Sequence, residues 1–181
     1  MKTLFLVLTI VLAISSAHAQ TQALAAPVPD LTIIEDFSSR AGTLIQREFT
    51  RVGEFSSPFR VDVVKVTDLM DKRSVQGVRI SANVATGSIR DSAFIDADEI
   101  DTFTRAIALM KTSAFSTTPD NFTDLAYRTR GGLALGALYA NKRWNIYLRL
   151  DRFDPKSSVN IDQNDLETLR DLLTQAKERI K

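Results

Sequence analysis

Beyond residue 42 the chain alternates apolar and polar positions in short runs, and twice this alternation gives way to helical spacing. Residues 42–55 are rich in β-branched and aromatic side chains and predict a strand broken at Gly53. Residues 59–69 predict a second strand after the turn at 56–58, and 74–84 a third, reached through the charged turn 70–73. Residues 92–95 predict a short fourth strand after a turn containing Gly87. Ile100, Phe103, Ile107 and Met110 then recur on one helical face. After a loop at 116–121 the order repeats: strands over 122–130, 132–140, 143–152 and 157–161. A helix follows whose apolar face is Leu166, Leu169, Leu172, Leu173, Ala176 and Ile180. The expected fold class is α+β, a tandem duplication of a ββββα unit with antiparallel sheets and one amphipathic helix per repeat. Residues 31–42 fit either a short helix or a strand.

The duplication has a trace in the residues themselves. Residues 95–111 (IDADEIDTFTRAIALMK) align without a gap on 161–177 (IDQNDLETLRDLLTQAK). Glu99/Asp165, Ile100/Leu166, Asp101/Glu167, Phe103/Leu169 and Ile107/Leu173 are conservative partners, and the final lysines coincide. Asp96 with Glu99 and Asp162 with Asp165 have the spacing of capping boxes, which makes these four residues the expected helix caps. The division expected from these signals is residues 42–115 for the first repeat and 116–181 for the second, joined in one compact domain, after a flexible N-terminal segment at 20–41.

Residues 1–19 change which part of the chain is expected to fold. Lys2 gives a positive start, residues 3–14 an apolar core short for a bilayer span, and Ala17-His18-Ala19 a small-x-small cleavage site. This predicts a signal peptide cut before Gln20, a periplasmic or secreted mature chain, and no stable membrane insertion after cleavage. The Pro-containing, aperiodic stretch 20–30 reads as a tether. Cleavage removes 19 of 181 residues and with them Lys2, so that Lys+Arg falls from 23 to 22 against 22 Asp+Glu. A net charge of zero implies no whole-protein attraction to nucleic acid or anionic lipid. The 44% apolar content is enough for a core, which a chain with no cysteine must rely on outside the cytoplasm.

The only histidine, His18, leaves with the signal peptide. The mature chain then has neither His nor Cys, which excludes Ser-His-Asp and Cys-His nucleophiles, thiol redox chemistry, Cys/His zinc sites and His-ligated haem or copper. No S-x-x-K spacing and no phosphate-binding glycine loop occurs, and Gly131-Gly132 reads as a turn or bulge. No catalytic residue, metal ligand or cofactor is read from the chain.

At the level of strand and helix count, the order of elements over roughly residues 42–181 resembles the tandem ββββα folds of the Whirly and PUR-type single-stranded nucleic-acid-binding proteins. The resemblance implies paired antiparallel sheets and a single-stranded nucleic-acid ligand. The fold part is carried forward; export and zero net charge speak against the ligand.

Two groups of residues invite a chemical reading. Asp96, Asp98, Glu99 and Asp101 form an acidic cluster. As an EF-hand loop counted from Asp96 it fails, because the sixth and twelfth positions hold Asp101 and Ile107. As a carboxylate pair it would serve a hydrolase acting on a glycan, although the echo at Asp162, Asn164, Asp165 and Glu167 is what duplicated caps produce. The second group lies on strand 143–150, where Trp144, Ile146, Leu148 and Leu150 alternate with Arg143, Asn145, Tyr147 and Arg149. If Arg79, Ser81 and Asn83 of the corresponding strand, with Arg128 and Arg130, share that polar side, the candidate ligand-binding set is Arg79, Arg128, Arg130, Arg143, Tyr147 and Arg149. Such a surface suits an anionic polymer such as single-stranded nucleic acid, with Tyr147 stacking and the arginines pairing phosphate or carboxylate. The leading expectation is a non-catalytic binding or interaction module that works through an uncovered sheet face, on a protein partner or an anionic polymer. An open edge strand in each half would also let the chain pair as a homodimer. Asn121-Phe122-Thr123 matches the N-glycosylation triplet, which has meaning only in a eukaryotic secretory route.

Overall fold

The computed structural model describes residues 31–56, 59–82, 92–151 and 153–180. The expected signal peptide, the tether at 20–30, Asn83 and the Gly87 turn lie outside them. The chain forms β1 (Ile45–Phe55), β2 (Phe59–Asp68), β3 (Ser74–Ala82) and β4 (Ser92–Asp96), then α2 (Ile100–Leu109). A second set follows: β5 (Thr123–Arg128), β6 (Ala134–Ala140), β7 (Arg143–Arg149), β8 (Ser158–Ile161) and α3 (Gln163–Arg179). A short helix, α1 (Ile33–Ser38), precedes them all. The strands make two four-stranded antiparallel sheets in sequential order, β1-β2-β3-β4 and β5-β6-β7-β8, so the two similar ββββα units expected from the repeat are present.

Local chemistry accounts for the joints. The break at Gly53 is a register shift between Arg51 and Gly53 in the β1–β2 pairing. The β6–β7 hairpin turns on Asn141 and Lys142, with φ of 53° and 60°, the handedness that matches strand twist in a two-residue loop. At the start of α3, Asp162 accepts the Asp165 N–H while the Asp165 carboxylate accepts the Asp162 N–H, a reciprocal capping box.

One apolar core joins both units. Phe59, Ile80 and Ile95 from the first sheet, Leu135 and Leu148 from the second, and Phe103, Leu169 and Leu173 from the helices belong to a single buried cluster. The helices are exchanged between the units. The helix of the second unit, α3, packs across β1, β2 and β3, with Leu172 resting on Gly53. The helix of the first unit, α2, stacks Phe103 on Tyr127 of β5 at 5.2 Å, and Thr102 and Tyr127 share a hydroxyl hydrogen bond.

The aligned repeat acquires a physical meaning here. Lys111 pairs with Glu167, and Lys177 pairs with Asp101. Since Lys111 aligns with Lys177 and Asp101 with Glu167, this is one ion pair made twice across the contact between α2 and α3. Both are exposed and worth at most about 1 kcal/mol each; they fix how the helices face one another more than they hold them together.

Of the segment 20–41, expected to be a flexible arm, the part from residue 31 lies among the described residues, and that part differs from the expectation. From Thr32 onward it is ordered: Thr32 and Glu35 form a capping box, and Ile34 and Phe37 are buried against Val64 and Val66 on the outer face of the first sheet. Six residues carry only one apolar i, i+3 pair, too little period to separate a helix from a strand.

Exchange of helices means that neither unit buries its own sheet. Residues 31–115 produced alone are expected to show no cooperative thermal transition by circular dichroism, and mixing with residues 116–181 is expected to restore one. In the whole chain, Leu169→Ala removes a fully buried side chain and is expected to cost about 3 kcal/mol in urea unfolding.

Candidate functional site

The acidic cluster is the first place to test for chemistry. Asp96 ends β4 and is almost fully buried, at 1% exposure. Its carboxylate does not cap α2. It accepts the main-chain N–H groups of Ile33 at 2.8 Å and Ile34 at 3.2 Å, so it satisfies the start of α1 instead. The N-cap of α2 is Glu99, in a helical conformation and with no side-chain capping bond. A three-residue offset from the aligned second repeat explains the difference: the chain turns at residues 97–99 before α2 begins, whereas α3 starts directly after Asp162.

Arg130, from the turn between β5 and β6, closes the cluster. Its guanidinium pairs with Asp96 and with Asp98, the latter at 2.9 Å, and its N–H donates to Glu99 Oε1 at 2.7 Å. Hydrogen bonding from Asp98, then Asp96, holds the guanidinium above its ordinary value despite the opposing effect of burial, so Arg130 is a permanent cation. The turn fits closely: a Cβ at Gly131 would lie 2.6 Å from Thr32 Cγ2. Gly132, at φ of 89°, supplies the left-handed residue that returns the chain into β6. The carboxylates proposed for hydrolysis are thus engaged by one arginine and by main-chain donors, in a joint that ties β4, α1 and the second sheet together.

The basic strand gives the second place. In the second sheet the residues facing the core are Tyr127, Leu135, Leu148 and, one row on, Ala137, Ile146 and Ile161. The opposite face carries two cross-strand rows, Ala126–Gly136–Tyr147–Asn160 and Arg128–Ala134–Arg149–Ser158. Arg143 and Asn145 extend it toward the hairpin. Among the described residues no helix lies across this face, whereas α1 covers part of the equivalent face of the first sheet.

Tyr147 lies flat on the sheet. A Cβ at Gly136 would fall 2.2 Å from the Tyr147 ring, so only glycine beneath it permits this pose. The Arg149 guanidinium stands 5.4 Å from the ring centroid. Ala134, in the Arg149 row, is 2% exposed although it points to the open side. Arg149 Nε is buried with no acceptor, and Arg128, Arg143 and Arg149 have no ion-pair partner among the described residues.

The six residues chosen from the sequence therefore divide. Arg128, Arg143, Tyr147 and Arg149 share the open face of the second sheet. Arg79 lies on the outer face of the first, where it donates to the buried Asp62 at 2.7 Å and sits 3.8 Å over the Phe49 ring. Arg130 belongs to the joint. Strand parity alone places Arg79 outward, but only the register puts Asp62 opposite it. Asn145, which alternation already placed on the polar side, and Asn160 also lie on the open face; carrying no charge, they stood outside the candidate set.

Comparison of the chain with protein families, curated proteins and solved structures finds no match.

Removing Asp96 leaves two helix N–H groups and a cation without a partner. Asp96→Ala is expected to lose about 3 kcal/mol of stability, and Asp98→Asn, at an exposed position, less than about 1 kcal/mol, both read from urea midpoints. Gly136→Ala is expected to displace the Tyr147 ring, visible as a change in near-ultraviolet circular dichroism with the sheet retained.

Proposed function

We propose that this protein is an exported, non-catalytic binding module whose working surface is the open face of the second sheet, and that the face takes an anionic polymer. The observation that carries this reading is the pair of arginines on that face with no acidic partner among the described residues, Arg143 and Arg149, the latter beside a Tyr147 ring presented flat. A flat ring flanked by guanidinium groups offers stacking and charge-assisted hydrogen bonds to a chain of phosphates or carboxylates. The zero net charge of the mature chain confines the attraction to this surface, so binding is local. The signal-peptide pattern at residues 1–19 supports the place of action, beyond the cytoplasmic membrane after cleavage before Gln20.

A catalytic role for Asp96, Asp98 and Glu99 has less support. Asp96 holds Arg130 and α1, Asp98 pairs with Arg130, and Glu99 Oε1 accepts the Arg130 main-chain N–H, and Asp98→Asn is expected to leave the protein's binding activity unaltered.

Titration with a fluorescent single-stranded oligonucleotide, and in parallel with a polyuronate, at several salt concentrations tests the reading. Binding that weakens with salt is expected, with affinity at least about tenfold lower in Arg143→Gln/Arg149→Gln. For the oligonucleotide, the slope of log K against log salt should fall by about 1.4 on loss of two contacts. No binding of either polymer at low salt, or equal binding by the double variant, would refute it.

A further inference from the structure

The outer edge of β5 is open, and the surface beside it is built to receive another copy of itself. Among the described residues β5 pairs only with β6, so alternate N–H and C=O groups along Thr123–Arg128 point away from the sheet. Alongside runs an apolar groove of about 470 Å³, lined by Leu109, Met110, Ala114, Leu125 and Tyr127. Leu109 is 56% exposed at its rim. Here α2 passes into a π-helical turn, Met110–Ala114, which widens the helix beside the strand.

The strand's own sequence names the occupant. When β5 is set antiparallel to a second β5 with Ala126 on the two-fold axis, Asp124 stands opposite Arg128 of the second copy, and the reverse pair follows by symmetry. On the core-facing side, Leu125 stands opposite Tyr127 of the second copy. Both charged side chains are exposed, and neither has an ion-pair partner among the described residues. The same register therefore pairs both charges, joins Leu125 to Tyr127, and brings the two apolar grooves, each with its exposed Leu109, together about the axis. One residue of slip would set charged side chains against the apolar face.

We infer that the protein forms a homodimer by antiparallel pairing of its two β5 edges about Ala126, with Leu109 of each copy closing on the other's groove. The result is one eight-stranded sheet whose open face carries Arg143, Tyr147 and Arg149 twice. This inference is independent of the ligand: it rests on Asp124, Arg128 and Leu109, and the binding reading rests on Arg143 and Arg149.

The absence of cysteine from the chain makes a direct test available. Residues facing each other on an antiparallel axis have Cα atoms about 4.5–5.5 Å apart, within the reach of a disulfide. Ala126→Cys is therefore expected to give a covalent dimer under mild oxidation, and Asn160→Cys, an exposed position on the far edge strand, is expected to give none. In sedimentation equilibrium, Arg128→Asp should weaken the dimer at least about tenfold by opposing two acids, and Asp124→Arg/Arg128→Asp should restore it. Leu109→Asp should also yield monomer. Circular dichroism and a urea midpoint near that of the unchanged protein would show that each variant folds. A folded protein that stays monomeric at its highest soluble concentration would overturn the inference. So would a dimer insensitive to Arg128→Asp, or failure of Ala126→Cys to cross-link.

Discussion

The way the two sheets meet is organised around one buried ion pair. Asp96 is buried at the end of the first sheet and Arg130 reaches it from a turn of the second. The desolvation of that carboxylate is tolerable because it accepts two main-chain N–H bonds as well as the guanidinium. Through these bonds a single side chain orients α1, the β4–α2 connection and the β5–β6 turn. The fully buried Thr32 and the close fit of Gly131 upon it follow from that closure. A neutral residue of the same shape would leave the Arg130 guanidinium with Asp98 alone, while its main-chain N–H still donated to Glu99.

The two sheets divide the remaining labour unequally. On the first, the outer face is partly closed by α1, and its arginines are answered by Asp62, which takes both Arg79 and Arg60. On the second, small residues, Ala126, Ala134, Gly136 and Ala140, let long side chains lie down along the sheet, and the cations among them have no carboxylate partner among the described residues. Duplication therefore supplied one scaffold twice, and the copies diverged on their outer faces while keeping matched helix contacts at Asp101–Lys177 and Lys111–Glu167.

Much of this was legible in the chain because periodicity survives where packing is regular. Strand count and the apolar faces of α2 and α3 follow from period 2 and period 3.6 alone, whereas the sequential order within each sheet comes from the structure. Tyr147 and Arg149 were placed on a polar face by alternation, and the structure puts Arg128 and Arg143 beside them. What escaped was long-range. Asp96 has the spacing of a helix cap, yet its partners lie 62 and 63 residues upstream and 34 downstream. Arg79 looks free until Asp62 comes opposite in the register, and the exchange of helices between sheets has no signature in either repeat, since each helix has the same apolar stripe whichever sheet it covers.

That exchange also governs the order in which the chain can acquire structure. Strand β1 meets α3 only at the far end of the sequence; Arg179 donates to the Arg51 carbonyl across 128 residues. Contacts so distant in sequence close late, after the local hairpins, and make assembly slow relative to a protein of the same size with local pairing. A chain emerging from its N-terminus thus presents the core face of its first sheet uncovered until its last helix is released, a state exposed to misassembly or to capture by a holding factor.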